Sequence, residues 1–179
     1  MKSLQPKGGL ETFYQNICTF GAFNVHGQAA YLLGDYPGAE RAARDALEAR
    51  ARWPVQNDQE RRDRAEPSIG LALALVRQGH AAQALEVIDP VVTLHRELAT
   101  RNRGDQWQHV ELASALYVRA LCDPPRRAAL LQEAASLINS VPEAMRALHS
   151  VRRWRDRIAQ SQRQGSAAIA MPAVARRAG

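Results

Sequence analysis

The sequence predicts an all-α fold, a solenoid of antiparallel helix hairpins closed by a C-terminal capping helix. Three observations carry this. Alanine recurs throughout the 179 residues while aromatic residues make up only 6%, so strand-favouring side chains are sparse and small residues that let helices approach are plentiful. A turn centred on Gly34 returns 45 residues later at Gly79, and again after a further 44 at Asp123. Past the first two turns, at matching offsets, stand Ala39, Ala43 and Ala46 and then Ala84, Ile88 and Val91. One local grammar at nearly equal spacing is the signature of a repeat array.

Residues 1–8 read as a flexible leader, 9–164 as the helical repeat domain and 165–179 as a disordered tail without period. The first hairpin pairs helices over about 12–33 and 36–52. Gly34 suits the position just past a helix and Pro37 a first helical turn, so Gly34-Asp35-Tyr36-Pro37 stops one helix and starts the next. Pro54 and Asn57 then argue for a loop. The second hairpin is expected over 58–78 and 81–101. Its charged start, DQERRDRAEP, is helix-prone, but Pro67 removes an interior hydrogen bond, so either the helix starts near Glu66 or it is kinked. The third hairpin spans about 106–122 and 125–139, with Asp123-Pro124-Pro125 at the turn and Ala128, Gln132 and Ala135 at the matching offsets. Gln132 interrupts the apolar pattern: either Leu131 takes its place through a slipped loop or the hairpin is distorted. A last helix over 142–163 carries Leu148, Val151, Trp154 and Ile158 on one stripe, with Met145 at its edge and Arg146, Arg153 and Arg157 opposite. Such a stripe seals the end of a solenoid.

The stretch Phe20 to Leu47 resembles a tetratricopeptide repeat (TPR). The family's skeleton falls on Gly27, Gly34, Tyr36, Ala39 and Ala46, with an aromatic at Phe23. The second copy keeps Gly79 and Ala84 but has Ala72 where the first has Gly27, and the third keeps Leu116, Ala128 and Ala135. The spacing exceeds the family's usual period of about 34, so the resemblance is to the longer variant of kinesin-light-chain-like bacterial repeat proteins. It implies a right-handed superhelix with a concave groove lined by the first helix of each pair. Carried over residue by residue, the groove takes Asn24, Gln28 and Tyr31, then Ile69, Leu73 and Arg77, then Ala113 and Tyr117. This mixed lining suits an extended or helical peptide with apolar anchors. It lacks the several Lys, Arg and Asn with which chaperone-tail-binding members clamp a terminal carboxylate. The resemblance also implies that such arrays often form part of a longer polypeptide bearing a kinase, regulator or transporter domain.

Catalytic chemistry has no foothold in the sequence. The histidines, His26, His80, His95, His109 and His149, show no metal-ligand spacing, and phosphate-loop, dinucleotide and nucleophile-elbow motifs are missing. No cofactor or metal is expected. Asp58, Glu60, Asp63 and Glu66 are interleaved with Arg61, Arg62 and Arg64, as on a solvated, salt-bridged face. Cys18 and Cys122 read as core thiols of a reducing compartment. No window is apolar enough to span a bilayer, and the start lacks a signal-peptide core, so the chain is expected in the cytoplasm.

Charge separates the two readings of function. Residues 1–100 are nearly balanced, whereas 101–179 hold 13 Arg against 6 acids and account for the net charge of +6. The first reading is a non-catalytic protein–protein interaction module, an adaptor or the interaction region of a larger protein, binding a peptide in the groove. The alternative is a basic C-terminal helix that binds nucleic acid or another anionic partner through Arg146, Arg153 and Arg157. Partner and oligomeric state are not fixed by the sequence.

Overall fold

The computed structural model describes residues 8–51, 55 and 57–170, with side chains over 21–51, 55 and 57–164. The described residues are helical, without a strand. They divide into two compact units, residues 1–91 and 92–179, with the division falling inside one helix.

In the first unit, α1 (Gly8–Leu33) and α2 (Tyr36–Ala51) form a hairpin, and α2 packs on α3 (Asp58–Arg77), which also touches α1. Helix α1 is described from Gly8, the last residue of the leader expected from sequence, so Gly8 to Glu11 are helical. The turn at Gly34 closes through two backbone hydrogen bonds, Gly34 N–H to Tyr31 O (3.2 Å) and Asp35 N–H to Ala30 O (2.9 Å). Gly34 has φ +83°, a left-handed conformation that glycine adopts without strain. The Asp35 side chain then accepts from Gly38 N–H at 2.9 Å, capping α2. Small residues let α1 and α2 approach closely: a Cβ added at Gly27 would lie 3.4 Å from Ala42 Cβ and 3.6 Å from Ala39 O. Ala39, Ala42, Ala43 and Ala46 are all buried.

Helix α3 is buried through five consecutive residues, Leu71 to Leu75, because it is covered on more than one side. It begins at Asp58, where Asn57 accepts from Glu60 N–H at 2.9 Å, so the charged run is helical and Pro67 sits buried inside it. Of the loop expected at 53–58, Trp53, Pro54 and Gln56 lie outside the described residues. Arg50, only 2% exposed, crosses from the end of α2 to donate to Glu60 O at 3.2 Å. The next turn repeats the first: Gly79 N–H to Val76 O (3.0 Å), His80 N–H to Leu75 O (2.9 Å), and Gly79 at φ +84°. It leads into α4 (Ala81–Arg101), whose Ala84, Ile88 and Val91 are buried as their spacing predicts.

In the second unit, the end of α4 is followed by α5 (Gln106–Cys122), capped by Asp105, whose side chain accepts from Trp107 N–H at 3.0 Å. A 3-10 turn at Pro124–Arg126 joins it to α6 (Arg127–Ser140), and the pair forms a second well-packed hairpin. Its buried face is Leu130, Leu131, Ala134 and Ile138, while Ala128 and Gln132 are exposed. The register has therefore slipped by one residue, and Leu131 takes the place of Gln132. Pro124 stands where the other turns have Asp35 and His80 and lacks the N–H that both use to close the turn.

The expected cap at 142–163 is two helices, α7 (Glu143–Arg146) and α8 (His149–Ala170). Helix α8 packs on α6 and α5, burying Val151 and Ile158 completely and Trp154 in part. Leu148 does not belong to the stripe: it precedes α8 and is 43% exposed. The buried face instead runs toward Ser161, and Gln162 Nε2 donates to Leu131 O at 3.3 Å. Residues 165–170, expected in the tail, continue α8, and 171–179 lie outside the described residues. Cys122 is a buried thiol; the Cys18 side chain is outside those described.

Candidate functional site

Asn24, Gln28 and Tyr31 follow the i, i+4, i+7 spacing of one face of α1, and Ile69, Leu73 and Arg77 follow i, i+4, i+8 on α3. Two ties join these faces within the first unit. At one end, Asn24 Nδ2 donates to Glu66 Oε1 at 3.0 Å. At the other, Tyr31 meets Tyr36 edge-on, with centroids 5.5 Å apart, and Arg77 Nη2 donates to the Tyr36 hydroxyl at 2.7 Å. The Arg77 guanidinium also lies over the Tyr36 ring, 5.0 Å from its centroid, a cation–π contact. Tyr36, at the start of α2, is the link between Tyr31 and Arg77. Beneath this corner, Ala30, Ala39 and Ala74 form a buried cluster against which Tyr31 packs.

Exposure sorts the sequence candidates. Gln28 and Arg77 are exposed, Asn24, Tyr31 and Ile69 half-buried, and Leu73 only 7% exposed, so it offers a ligand almost nothing. Glu40 borders the corner: its carboxylate accepts from Arg44 at 2.8 Å and from Gln78 Nε2 at 2.8 Å. The hydrogen bonds from Arg44 and then Gln78 hold its pKa below the usual carboxylate value. The result is a surface with an aromatic edge, a cation, an amide and a carboxylate, contributed by α1, α2 and α3. It can hydrogen-bond a polar backbone and pack an apolar side chain.

In the second unit, Ala113 is fully buried, and Tyr117 is half-buried against Trp154 of α8, ring centroids 5.8 Å apart. Tyr117 is thus partly spent on holding the last helix. The basic candidates do not share a solvent face. Arg157 stacks over Trp154 at 5.1 Å, and Arg153 is partly buried, its pKa lowered first by burial and then by Arg157. Arg146, on α7, instead lines a cleft with Arg152 and Arg155.

Sequence reasoning missed Tyr36 and Glu66 as partners of the α1–α3 face, and within the basic run 152–157 it assigned the solvent face to Arg153 and Arg157, whereas Arg152 and Arg155 are the exposed ones. Tyr36 and Glu66 stand on other helices than the residues they bond, so no spacing within one helix pointed to them. It also missed an apolar outer face of α1, where Val25, Leu32 and Leu33 are exposed. Among the described residues, no group of three or more His, Cys, Asp or Glu could hold a metal ion, and no helix is long and apolar enough to cross a membrane. His95 is buried, with Nδ1 3.7 Å from Glu111 Oε2, and His109 Nδ1 lies 3.2 Å from Ser140 Oγ. Compared with protein-family models, curated proteins and solved structures, the chain matches none.

Proposed function

We propose that the chain is a non-catalytic, cytoplasmic protein-interaction module of TPR-like, right-handed superhelical kind, and that it binds an extended peptide on the face shared by α1 and α3. The observation that carries this reading is the pair of ties, Asn24 to Glu66 and Tyr31 through Tyr36 to Arg77. They fix polar and aromatic side chains of two neighbouring first helices into one surface, which lowers the entropy lost when a peptide binds. The TPR-like assignment draws support from turn geometry that repeats at the spacing of 45, down to matching backbone hydrogen bonds at Gly34 and Gly79. A bacterial source fits the longer period.

In this reading the binding residues are Asn24, Gln28, Tyr31, Ile69 and Arg77. The test is selection of a random peptide library on the immobilised chain, followed by affinity measurement of a selected peptide on variants. Arg77→Ala and Gln28→Ala, both at exposed positions, should weaken it about tenfold or more, since each removes a polar contact to the ligand. Arg152→Glu should leave it unchanged. Selected peptides that bind all three variants like the parent would overturn the assignment.

A further inference from the structure

Between the end of α6, α7 and the start of α8 lies a cleft of about 280 Å³ lined by Asn139, Glu143, Arg146, Ala147, Arg152 and Arg155. We infer that this cleft is an anion site that takes one phosphomonoester dianion. The inference concerns different residues from the α1–α3 face and does not depend on that reading.

Three guanidinium groups converge here with little to neutralise them. Arg146 Nη1 donates to Asn139 O at 3.2 Å, a neutral acceptor that pins the side chain and leaves its charge whole. Arg152 is exposed and makes no ion pair or hydrogen bond through its side chain among the described residues. Arg155 shares Nε and Nη2 with the exposed carboxylate of its neighbour Asp156, both at 3.3 Å, a contact that solvent screens. Glu143 is the one carboxylate of the lining. A phosphomonoester carries a charge of about −1.5 to −2 and three strong acceptor oxygens, and planar guanidinium forks match that geometry.

Size and charge pattern select within the anions. The cleft lies just below the range of about 300–1,000 Å³ typical of small-molecule sites, so it accommodates a phosphoryl group and the few atoms that carry it. Glu143 and Asp156 interrupt the arginines, which denies successive phosphates of a nucleic-acid strand a continuous cationic track. The favoured ligand is therefore a single phosphomonoester, free or borne on a side chain.

The test titrates the full chain, by calorimetry at low salt, with inorganic phosphate, a capped Ala-phosphoserine-Ala tripeptide, its unphosphorylated form and a 12-residue oligothymidylate. Saturable binding of phosphate or the phosphotripeptide, without binding of the unphosphorylated form, is expected. The stronger of the two identifies the source. Arg152→Gln, at an exposed and unbonded position, should weaken it about tenfold, and Glu143→Gln should tighten it. No saturation by either phosphorylated probe up to about 10 mM, equal binding by Arg152→Gln, or binding by the oligonucleotide alone would overturn the proposal; the last would assign these arginines to nucleic acid.

Discussion

Gly27 gives the sharpest test of how the first hairpin is packed, because two substitutions there should move stability in opposite directions. An alanine Cβ would lie 3.4 Å from Ala42 Cβ and 3.6 Å from Ala39 O, which is ordinary van der Waals contact. Alanine therefore fits, and in a helix interior it is favoured over glycine by up to about 1 kcal/mol through propensity. Leucine adds three further carbons where the backbone of Ala39 and the side chain of Ala42 already stand. Neither helix can yield without losing the contacts of buried Ala39, Ala43 and Ala46, so overpacking should cost about 1–3 kcal/mol. For a chain of this size, 1 kcal/mol corresponds to roughly 2–4 °C in Tm. Thermal melts followed by circular dichroism should place Gly27→Ala at or slightly above the parent and Gly27→Leu several degrees below. A Gly27→Leu variant that melts like the parent, or an alanine variant that falls as far as leucine, would refute the close α1–α2 contact.

Other outcomes follow from particular contacts. Leu131→Ala should cost about 2–5 kcal/mol and Gln132→Ala almost nothing, because Leu131 is 2% exposed and Gln132 faces solvent; the reverse order in urea melts would restore the unslipped register. Gly38→Ala should destabilise by about 1 kcal/mol despite better propensity, since the new Cβ would run into the Asp35 carboxylate that caps α2; a melt above the parent would contradict the cap. Glu40→Gln should cost up to about 1 kcal/mol at pH 7. The Glu40 pKa is lowered in the folded chain, so its contribution is present above the ordinary value of 4.5 and fades as pH falls through the lowered one. The stability gap between parent and variant must narrow below pH 4.5; a gap that widens there would disprove the linkage. Truncation after Val141 should expose the surface that Val151 and Ile158 cover and cause aggregation, whereas truncation after Gln164 should leave solubility intact; equal behaviour in light scattering would remove α8 from the core.

The helices were legible wherever a local residue decides the chain's path. Gly34 and Gly79 both adopt positive φ, and the bounds 36–51, 81–101 and 106–122 fall at or within a residue of those expected. Burial at Ala39, Ala43, Ala46, Ala84, Ile88 and Val91 followed from their offsets alone. What the pattern did not reveal depends on contacts distant in sequence. The slip at Leu131 accompanies a turn of another kind, a 3-10 turn in which Pro124 lacks the N–H that Asp35 and His80 use. The break at Ala147–Leu148 separates Leu148 from the stripe it matched by spacing. Arg153 and Arg157 were placed opposite the apolar face, but Trp154 draws that face toward them, leaving Arg152 and Arg155 in solvent. For the α1–α3 face, helical spacing supplied Asn24, Gln28, Tyr31, Ile69 and Arg77. Their ties through Glu66 and Tyr36 required the packing of two hairpins.

Hydrogen–deuterium exchange of the full chain, with and without a library-selected peptide, tests the α1–α3 binding face most directly. The account predicts that protection on binding is confined to the segments around residues 24–31 and 66–77. Protection concentrated instead at 143–157, with those segments unchanged, would contradict it.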